Sequence, residues 1–550
     1  MNIVNLLKRG IALCARPMDT VAGAALLLAF FGLISRIFGL ARDRILASTF
    51  GAGDILDVYY ASFRIPDFLY GILVLGALSA AFIPVFSRLY AKKSSQEAWK
   101  LTSDFLVLLV GALGFLSFLV AVCMPFLVYG IAPGFNEEKR EMVILFTRIM
   151  LLSPILLGAS AVFGGVLIAR RSFLAYSIAP IAYNIGIIFG VVVLVSFMGP
   201  IGLAWGVILG TFLHFTIQMI AAFFDGYRFV IPQTFPWQNP QIRKMFSLMG
   251  PQVLSVASNQ INFWIITLFA SIMAAGSLAV FNFANNLQSI PLALIGVSFA
   301  VAAFPRLSHA AGEEDMKEFI RVFMRTLKRI LYFVIPAAVF LILLRAQVVR
   351  VVLGTGVFDW EDTILTSQVL GLLSLSLFAQ SLLPLMARAF YSLEDTKTPF
   401  FIALVSQATN ICIILLTFDR WGVYSLAFAF SLASIVQVAL LFLFLKRKLG
   451  VFGDNHTRES LKKILIATFV AGMIIQGMKF FWGNVTDLNT FWEVFVQLVF
   501  AGLTGVGTYL LMSHWLKIEE FCDFRRKVYW KLFRKPKAIA VSQQQDMEGM

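Results

Sequence analysis

Two arginines interrupt the first long apolar stretch of the chain, in Ser35-Arg36-Ile37-Phe38-Gly39-Leu40-Ala41-Arg42-Asp43. From Val21 to Thr49 the residues are otherwise those of a membrane-spanning helix. An arginine at mid-span costs roughly 2.5–3.5 kcal/mol on insertion scales and faces protein or water, not lipid. A guanidinium is a rigid fork of donors that stays charged and matches a phosphate through paired hydrogen bonds. The second apolar stretch adds Asp57 and Arg64, which share one helix face, as do Arg36 and Asp43. If Val21 marks the inner boundary, Arg36 lies about 22 Å into a hydrocarbon core about 30 Å thick. Arg42 then falls near the outer edge, and Arg64 about 15 Å below it on the returning helix. Arg36 and Arg42 are about 120° apart on an ideal helix, so they converge only through a bend at Gly39 or through side-chain length. Pro66 is placed to break the second helix beside Arg64. Two readings are open. In one, Arg36, Arg42 and Arg64 form a cationic pocket for a phosphate or pyrophosphate. In the other, Arg36 pairs with Asp57 to lock two helices, Arg42 snorkels outward, and Arg64 pairs with Asp57 or Asp67.

Further along, Gln252, Ser255, Ser258, Asn259, Gln260 and Asn262 crowd one apolar stretch, and Asn282, Asn285, Asn286 and Gln288 the next. These amides either bond helix to helix or line a hydrated path for a sugar headgroup, with Asn259 and Asn286 as candidate contacts.

The elements that position these groups are helices in a bilayer. The chain has 550 residues, 59% hydrophobic and 14% charged, with a mean hydropathy of +0.84. Apolar runs of about 20 residues recur along nearly the whole length, which implies an all-α polytopic membrane protein. The runs are continuous and not alternating, which argues against a β-barrel. About fourteen transmembrane helices are expected, near 21–47, 56–87, 101–129, 141–168, 176–198, 201–224, 243–270, 277–305, 318–344, 364–392, 399–418, 421–445, 460–482 and 490–513. The run from Val21 is too long for a signal-peptide core, so it is read as retained. The net charge of +15 does not point to nucleic acid, because it sits in short loops on alternate sides of the spans. Clusters such as Arg88/Lys92/Lys93, Arg170/Arg171 and Lys446/Arg447/Lys448 place both termini in the cytoplasm.

Cys14, Cys123, Cys412 and Cys522 lack metal-ligand or disulfide-framework spacing. His214, His309, His456 and His514 are isolated, and no Walker loop is present. A transporter is therefore expected, with no enzyme chemistry, no cofactor and no metal. The basic aromatic tail, Lys517 to Lys537, reads either as a helix on an anionic membrane surface or as a solvated topology signal. A monomer is the expectation.

Ala80-Ala81-Phe82-Ile83-Pro84-Val85-Phe86-Ser87-Arg88 is echoed by Val301-Ala302-Ala303-Phe304-Pro305-Arg306-Leu307-Ser308, and Ala169-Arg170 with Asn184-Ile185 by Ala387-Arg388 with Asn410-Ile411. Six helices separate the copies, the mark of a parallel repeat whose lobes rock about a central substrate. The expected organisation is a cytoplasmic segment 1–20, an N-lobe 21–224 (helices 1–6), a C-lobe 225–445 (helices 7–12), two extra C-terminal helices in 446–513, and a basic cytoplasmic tail 514–550.

The run Ser35-Arg36-x-x-Gly39-x-x-Arg42-Asp43, then Phe50-Gly51-Ala52-Gly53 and Asp57, resembles the start of the MurJ/MviN family, the lipid II flippases of bacterial peptidoglycan synthesis within the multidrug/oligosaccharidyl-lipid/polysaccharide exporter superfamily. Ala132-Pro133-Gly134-Phe135, Ser258-Asn259-Gln260-Ile261-Asn262 and Phe390-Tyr391-Ser392-x-x-Asp395-Thr396-Lys397-Thr398-Pro399 extend the likeness over nearly the whole chain. The resemblance implies two lobes around a V-shaped cavity in the bacterial inner membrane, plus two further helices. It also implies a lipid-linked pyrophosphate glycan as substrate, bound by arginines at Arg36 and Arg42. Asp43 and Asp57 fall on acidic positions of the family and Arg64 on a basic one. Where members often carry two further arginines, this chain has Gly71 and Asn286. A flippase for another lipid-linked oligosaccharide, a cation-coupled multidrug exporter and an inactive scaffold are the alternatives. The arginines argue against the exporter, whose cavity would be acidic. Membrane potential or an ion gradient is the expected drive.

Overall fold

The computed structural model describes residues 21–75, 82–91, 95–450, 455–486, 490–523 and 525–526, and within these no strand occurs. The expected N-terminal segment and most of the basic tail lie outside the described residues, as does the side chain of Asn259. The helices are α1 (Val21–Phe50), α2 (Asp54–Ser62), α3 (Arg64–Tyr70), α4 (Ile83–Ala91), α5 (Ser95–Ile131), α6 (Glu137–Met150), α7 (Leu152–Ala169), α8 (Phe173–Phe189), α9 (Val195–Met198), α10 (Ile201–Phe224), α11 (Pro240–Ile272), α12 (Ser277–Pro291), α13 (Ser298–Gly312), α14 (Met316–Leu343), α15 (Arg345–Leu353), α16 (Trp360–Ser374), α17 (Leu377–Ser392), α18 (Lys397–Trp421), α19 (Val423–Leu449), α20 (Asn455–Gly483) and α21 (Phe491–Trp515).

Helix thus fills the described part of each expected segment, broken only at short turns. Ten helical stretches among the described residues are long and apolar enough to cross a membrane, or eleven if α16 and α17, bent by 46°, count as one. The other three expected segments hold α1, α2 to α4, and α11. Their apolar runs are interrupted by charges or by residues outside the description.

Two local features shape the polar centre of the bundle. α1 passes through Gly39 without a break, so no bend brings Arg36 and Arg42 together. The second segment does break, at Phe63. Pro66 has no N–H to give the carbonyl of Ser62, one turn back. The hydroxyl of Thr147 donates to that carbonyl instead, at 3.4 Å. The break is followed by a π-helical stretch, Gly71–Leu75, and others occur at Gly190–Leu194 and Leu292–Val297.

The packing is uneven along the bundle axis. One buried cluster draws on both halves of the sequence, from Leu46, Leu56 and Phe146 to Phe283, Leu353 and Leu426. Of the other two large clusters, one, around Phe82 and Phe105, takes in only Tyr227 and the start of α11 (Ile242, Met245) from the second half, and the other, around Phe319, Phe323 and Phe390, lies wholly in the second half. The halves therefore meet most extensively at the end that carries Phe50, Ala132, Gly276 and Gly356.

That junction is a seal made largely of backbone. The Asp57 carboxylate accepts from the N–H groups of Gly276 (2.7 Å) and Ala279 (2.9 Å), which head α12. Asp362 accepts from Ala52 N–H at 3.0 Å, and Ser48 O from Val357 N–H at 2.9 Å. Gly276 (φ +83°) and Gly356 (φ +61°) sit in left-handed conformations, and a Cβ on either would overlap the carbonyl of Ala52 or Ser48. At the opposite end, α4 packs on α5 and α7, while α13 packs on α14 and α17.

Candidate functional site

Just below the seal, five elements, α1, α3, α8, α11 and α12, bring charged and polar side chains together. The Arg42 guanidinium donates twice to Asp43 Oδ1, at 3.0 and 2.7 Å, and once to Asn184 Oδ1 of α8, at 3.2 Å. Asp43 is only 3% exposed, and its other oxygen accepts from Asn286 Nδ2 of α12 at 3.0 Å. Asp43 therefore ties the first half of the chain to the second. One turn along α12, the Asn282 side chain accepts from Arg64 at 3.3 Å, and Thr267 Oγ1 of α11 accepts from Arg64 Nε at 2.6 Å. Asn282 and Asn286 are four apart and so adjacent on one helix face. They join Arg64 to the Arg42–Asp43 pair in one polar layer.

The expected site residues divide clearly. Arg42, Asp43, Asn286 and Arg64 meet in this layer. Arg42 does not snorkel outward. Arg64 forms no ion pair within 4 Å with Asp57 or Asp67 among the described residues; its partners are a hydroxyl and an amide. Arg36 is half-buried and has no side-chain partner among the described residues; it does not pair with Asp57. The backbone of its neighbour Ser35 accepts from Asn184 Nδ2 at 3.5 Å, so Asn184 bonds α1 at both Ser35 and Arg42.

Asp57 lies outside this layer, in the seal. It is 1% exposed and both oxygens are taken by the first N–H groups of α12. A carboxylate there meets the free donors and positive dipole end of the helix. It closes the seal two turns away from Arg64.

Sequence reasoning did not single out Thr267, Tyr60 or the role of Asn184. Asn184 was visible as an amide in an apolar helix, four residues after Pro180, whose carbonyl its Nδ2 also reaches at 3.0 Å. The Tyr60 hydroxyl is buried with no hydrogen-bond partner among the described residues, within electrostatic reach of Asp43, Arg42 and Arg64. The described amides of α11 and α12 largely join helices: Asn410 donates to Asn262 at 2.8 Å, and Gln288 to Leu373 O at 2.6 Å. The Asn410–Asn262 bond repeats, in the second half, the placement of Asn184 beside Arg42.

Chemically, the layer offers cations in excess of partnered acids. Among its described residues only Arg42 has its charge met by a carboxylate within 4 Å. Arg36 and Arg64 keep donors aimed at no acid, and the arrangement suits an anion with several acceptor oxygens. Among the described residues no group of three or more His, Cys, Asp or Glu is placed to hold a metal.

A model of the lipid II flippase MurJ family matches residues 46–496. The chain belongs to the MurJ family. A relative from Buchnera aphidicola (subsp. Acyrthosiphon pisum), named "Probable lipid II flippase MurJ", is 29% identical over 503 residues, covering 88% of this chain and 96% of the relative. The solved structure "Lipid II flippase MurJ, inward closed conformation" matches with a TM-score of 0.74 at 24% identity, over 92% of this chain and 99% of the other. An inward-facing multidrug-resistance transporter of the MATE family matches with a TM-score of 0.62 at 14% identity, over 78% and 98%. In this chain Asn286 serves as a donor to Asp43.

Proposed function

We propose that this protein translocates lipid II, the undecaprenyl-pyrophosphate-linked peptidoglycan precursor, from the inner to the outer leaflet of a bacterial inner membrane by alternating access. The observation that carries the reading is Arg64, joined through Asn282 and Asn286 to the Arg42–Asp43 pair, together with Arg36 six residues before Arg42 on α1, neither with a carboxylate within 4 Å among the described residues. A pyrophosphate supplies the missing acceptors. With both termini cytoplasmic, the seal closes the outer face and the inner ends, joined less extensively through the start of α11, admit the headgroup.

The two lobes, 21–224 and 225–445, then act as the moving bodies. Asp43 and Asn286 form the link between them nearest the substrate. A pyrophosphate that takes over donors of Arg42 and Arg64 loosens Asp43 from Arg42 and Arg64 from Asn282. That cost is met by charge-assisted bonds to the substrate. The lobes rock, the seal opens, and the headgroup leaves outward. The isoprenoid chain remains in lipid beside α20 and α21, whose outer faces expose Phe469, Phe480 and Leu503. The protein works as a monomer, with its basic tail on anionic lipid.

The test is complementation. A host depleted of its own flippase is supplied with wild type, Arg36→Ala or Arg42→Ala, and growth is scored together with exposure of lipid II on the outer leaflet. Wild type restores both and the variants do not. Full rescue by both variants would sink the cationic site, and failure of wild type would point to a different lipid-linked substrate.

A further inference from the structure

A second cationic site lies outside the central layer, where α20 and α21 join the rest of the bundle. α14 ends at Leu343 and leaves its last carbonyls without helical partners. Two cations gather there. Lys479 Nζ donates to Leu343 O at 2.6 Å, and Arg345 donates to Ile342 O at 2.8 Å. They are electrostatic neighbours, both half-buried, and among the described residues neither has a carboxylate within 4 Å. Like charges held side by side repel, and an anion between them offsets that repulsion.

The surroundings are built. Gln497 of α21 donates to Lys479 O at 3.1 Å and accepts from Gln347 at 2.9 Å. This fixes α20, α21 and α15 around the pair. Trp482 comes three residues after Lys479 and so lies beside it on the helix surface. Its ring stacks on Phe500 with centroids 5.3 Å apart. Its indole N–H is buried and has no acceptor among the described residues, an arrangement that costs free energy unless a ligand supplies one. Exposed Phe480, Phe481 and Trp492 surround this end of the helix pair, as expected at the level of lipid headgroups. Arg44 of α1 adds a third cation nearby, bonded to Val351 O and Val352 O at 2.5 and 3.2 Å and set 5.4 Å from the Phe491 ring centre.

We propose that Lys479, Arg345 and the Trp482 indole bind the phosphate of a lipid headgroup in the leaflet at the sealed end of the bundle. The phosphate comes either from a resident phospholipid or from the undecaprenyl pyrophosphate group of a translocated molecule. The site goes beyond the transport reading and is tested without transport.

The experiment is native mass spectrometry of the purified full-length protein in detergent, titrated with phosphatidylglycerol in one arm and undecaprenyl pyrophosphate in the other. The Lys479→Gln/Arg345→Gln variant loses about tenfold or more in affinity for one of them, the scale of a lost charge-assisted contact. Loss confined to phosphatidylglycerol assigns the site to a resident lipid; loss for undecaprenyl pyrophosphate assigns it to the transported one. Trp482→Phe keeps the ring stack and removes only the donor, so it reads the site even where the double variant folds poorly. It is expected to weaken the same ligand about threefold to tenfold. Unchanged binding of both lipids by Trp482→Phe, and by the double variant where it folds, overturns the proposal.

Discussion

Arg42→Ala separates two roles that one residue plays at once. Arg42 provides two of the hydrogen bonds to Asp43, whose side chain is 4% exposed against 22% for the arginine. Removing the guanidinium leaves a buried carboxylate with Asn286 alone. Stripping one partner from a buried ion pair typically costs about 3–5 kcal/mol, reduced here to the extent that Asp43 takes up a proton. The double variant Arg42→Ala/Asp43→Asn removes the orphaned charge, so most of that loss is recovered, and the two changes are strongly non-additive as contacting groups are. Substrate affinity takes a different course. The lost guanidinium removes about 1.5–3 kcal/mol of charge-assisted bonding, about tenfold to a hundredfold in Kd, and the double variant does not regain it. The assay pairs thermal unfolding in detergent with lipid II binding on the same four proteins of the cycle. If Arg42→Ala is as stable as wild type, the buried-pair argument fails. If the double variant binds lipid II like wild type, Arg42 is a structural residue and the cationic site is wrong.

Arg36→Ala is expected to behave in the opposite way, with stability within about 0.5 kcal/mol of wild type because no described side chain is bonded to Arg36 and with reduced lipid II binding; a large drop in unfolding temperature refutes this. Gly276→Ala forces a side chain onto the Ala52 carbonyl, so the seal is expected to part and a cysteine placed at Ser48 to become reactive to a polar thiol reagent; unchanged labelling with full expression refutes the seal. Burial pushes the Asp395 carboxyl up, but hydrogen bonds from Thr398 and Lys448 outweigh it and hold Asp395 below the usual carboxylate range. A carboxyl lowered on folding stabilises its loop above about pH 4 and loses that contribution as pH falls through the folded value. Hydrogen-exchange protection across 393–398, taken relative to the intrinsic exchange rate at each pH, is therefore expected to fall toward pH 3, and equal protection at pH 7 and pH 3 refutes the assignment.

The helical membrane class was legible from the apolar runs, and Arg42's place at a polar centre was legible because charges inside a long apolar run are costly and so carry information. The partner of each charge was not. Reading along the chain pairs Asp57 with Arg36 or Arg64, whereas its partners are N–H groups more than 200 residues later, at a helix start that no side chain marks. Thr267 was missed for a related reason. A single hydroxyl can satisfy itself on its own helix, as Thr267 does on Phe263 O at 2.8 Å, and so leaves no trace of a second, tertiary role. Pro66 did signal the break beside Arg64, but not the hydroxyl of Thr147 that compensates for it.

The hydrogen bonds that Asp57, Asp362 and Ser48 O accept at the closed end are all donated by the main chain, so substituting the residues that donate them leaves those bonds standing. Every residue type except proline carries the same N–H and C=O. The vulnerable positions reduce to a few: the two carboxylates, Asp57 and Asp362, and the glycines whose missing side chains let the strands of backbone touch. A barrier of this kind can drift widely in sequence among relatives while keeping its fit. A survey of tolerated mutations would find a gate guarded by almost no residues, and an inhibitor aimed at it would meet a surface that mutation has few ways to alter.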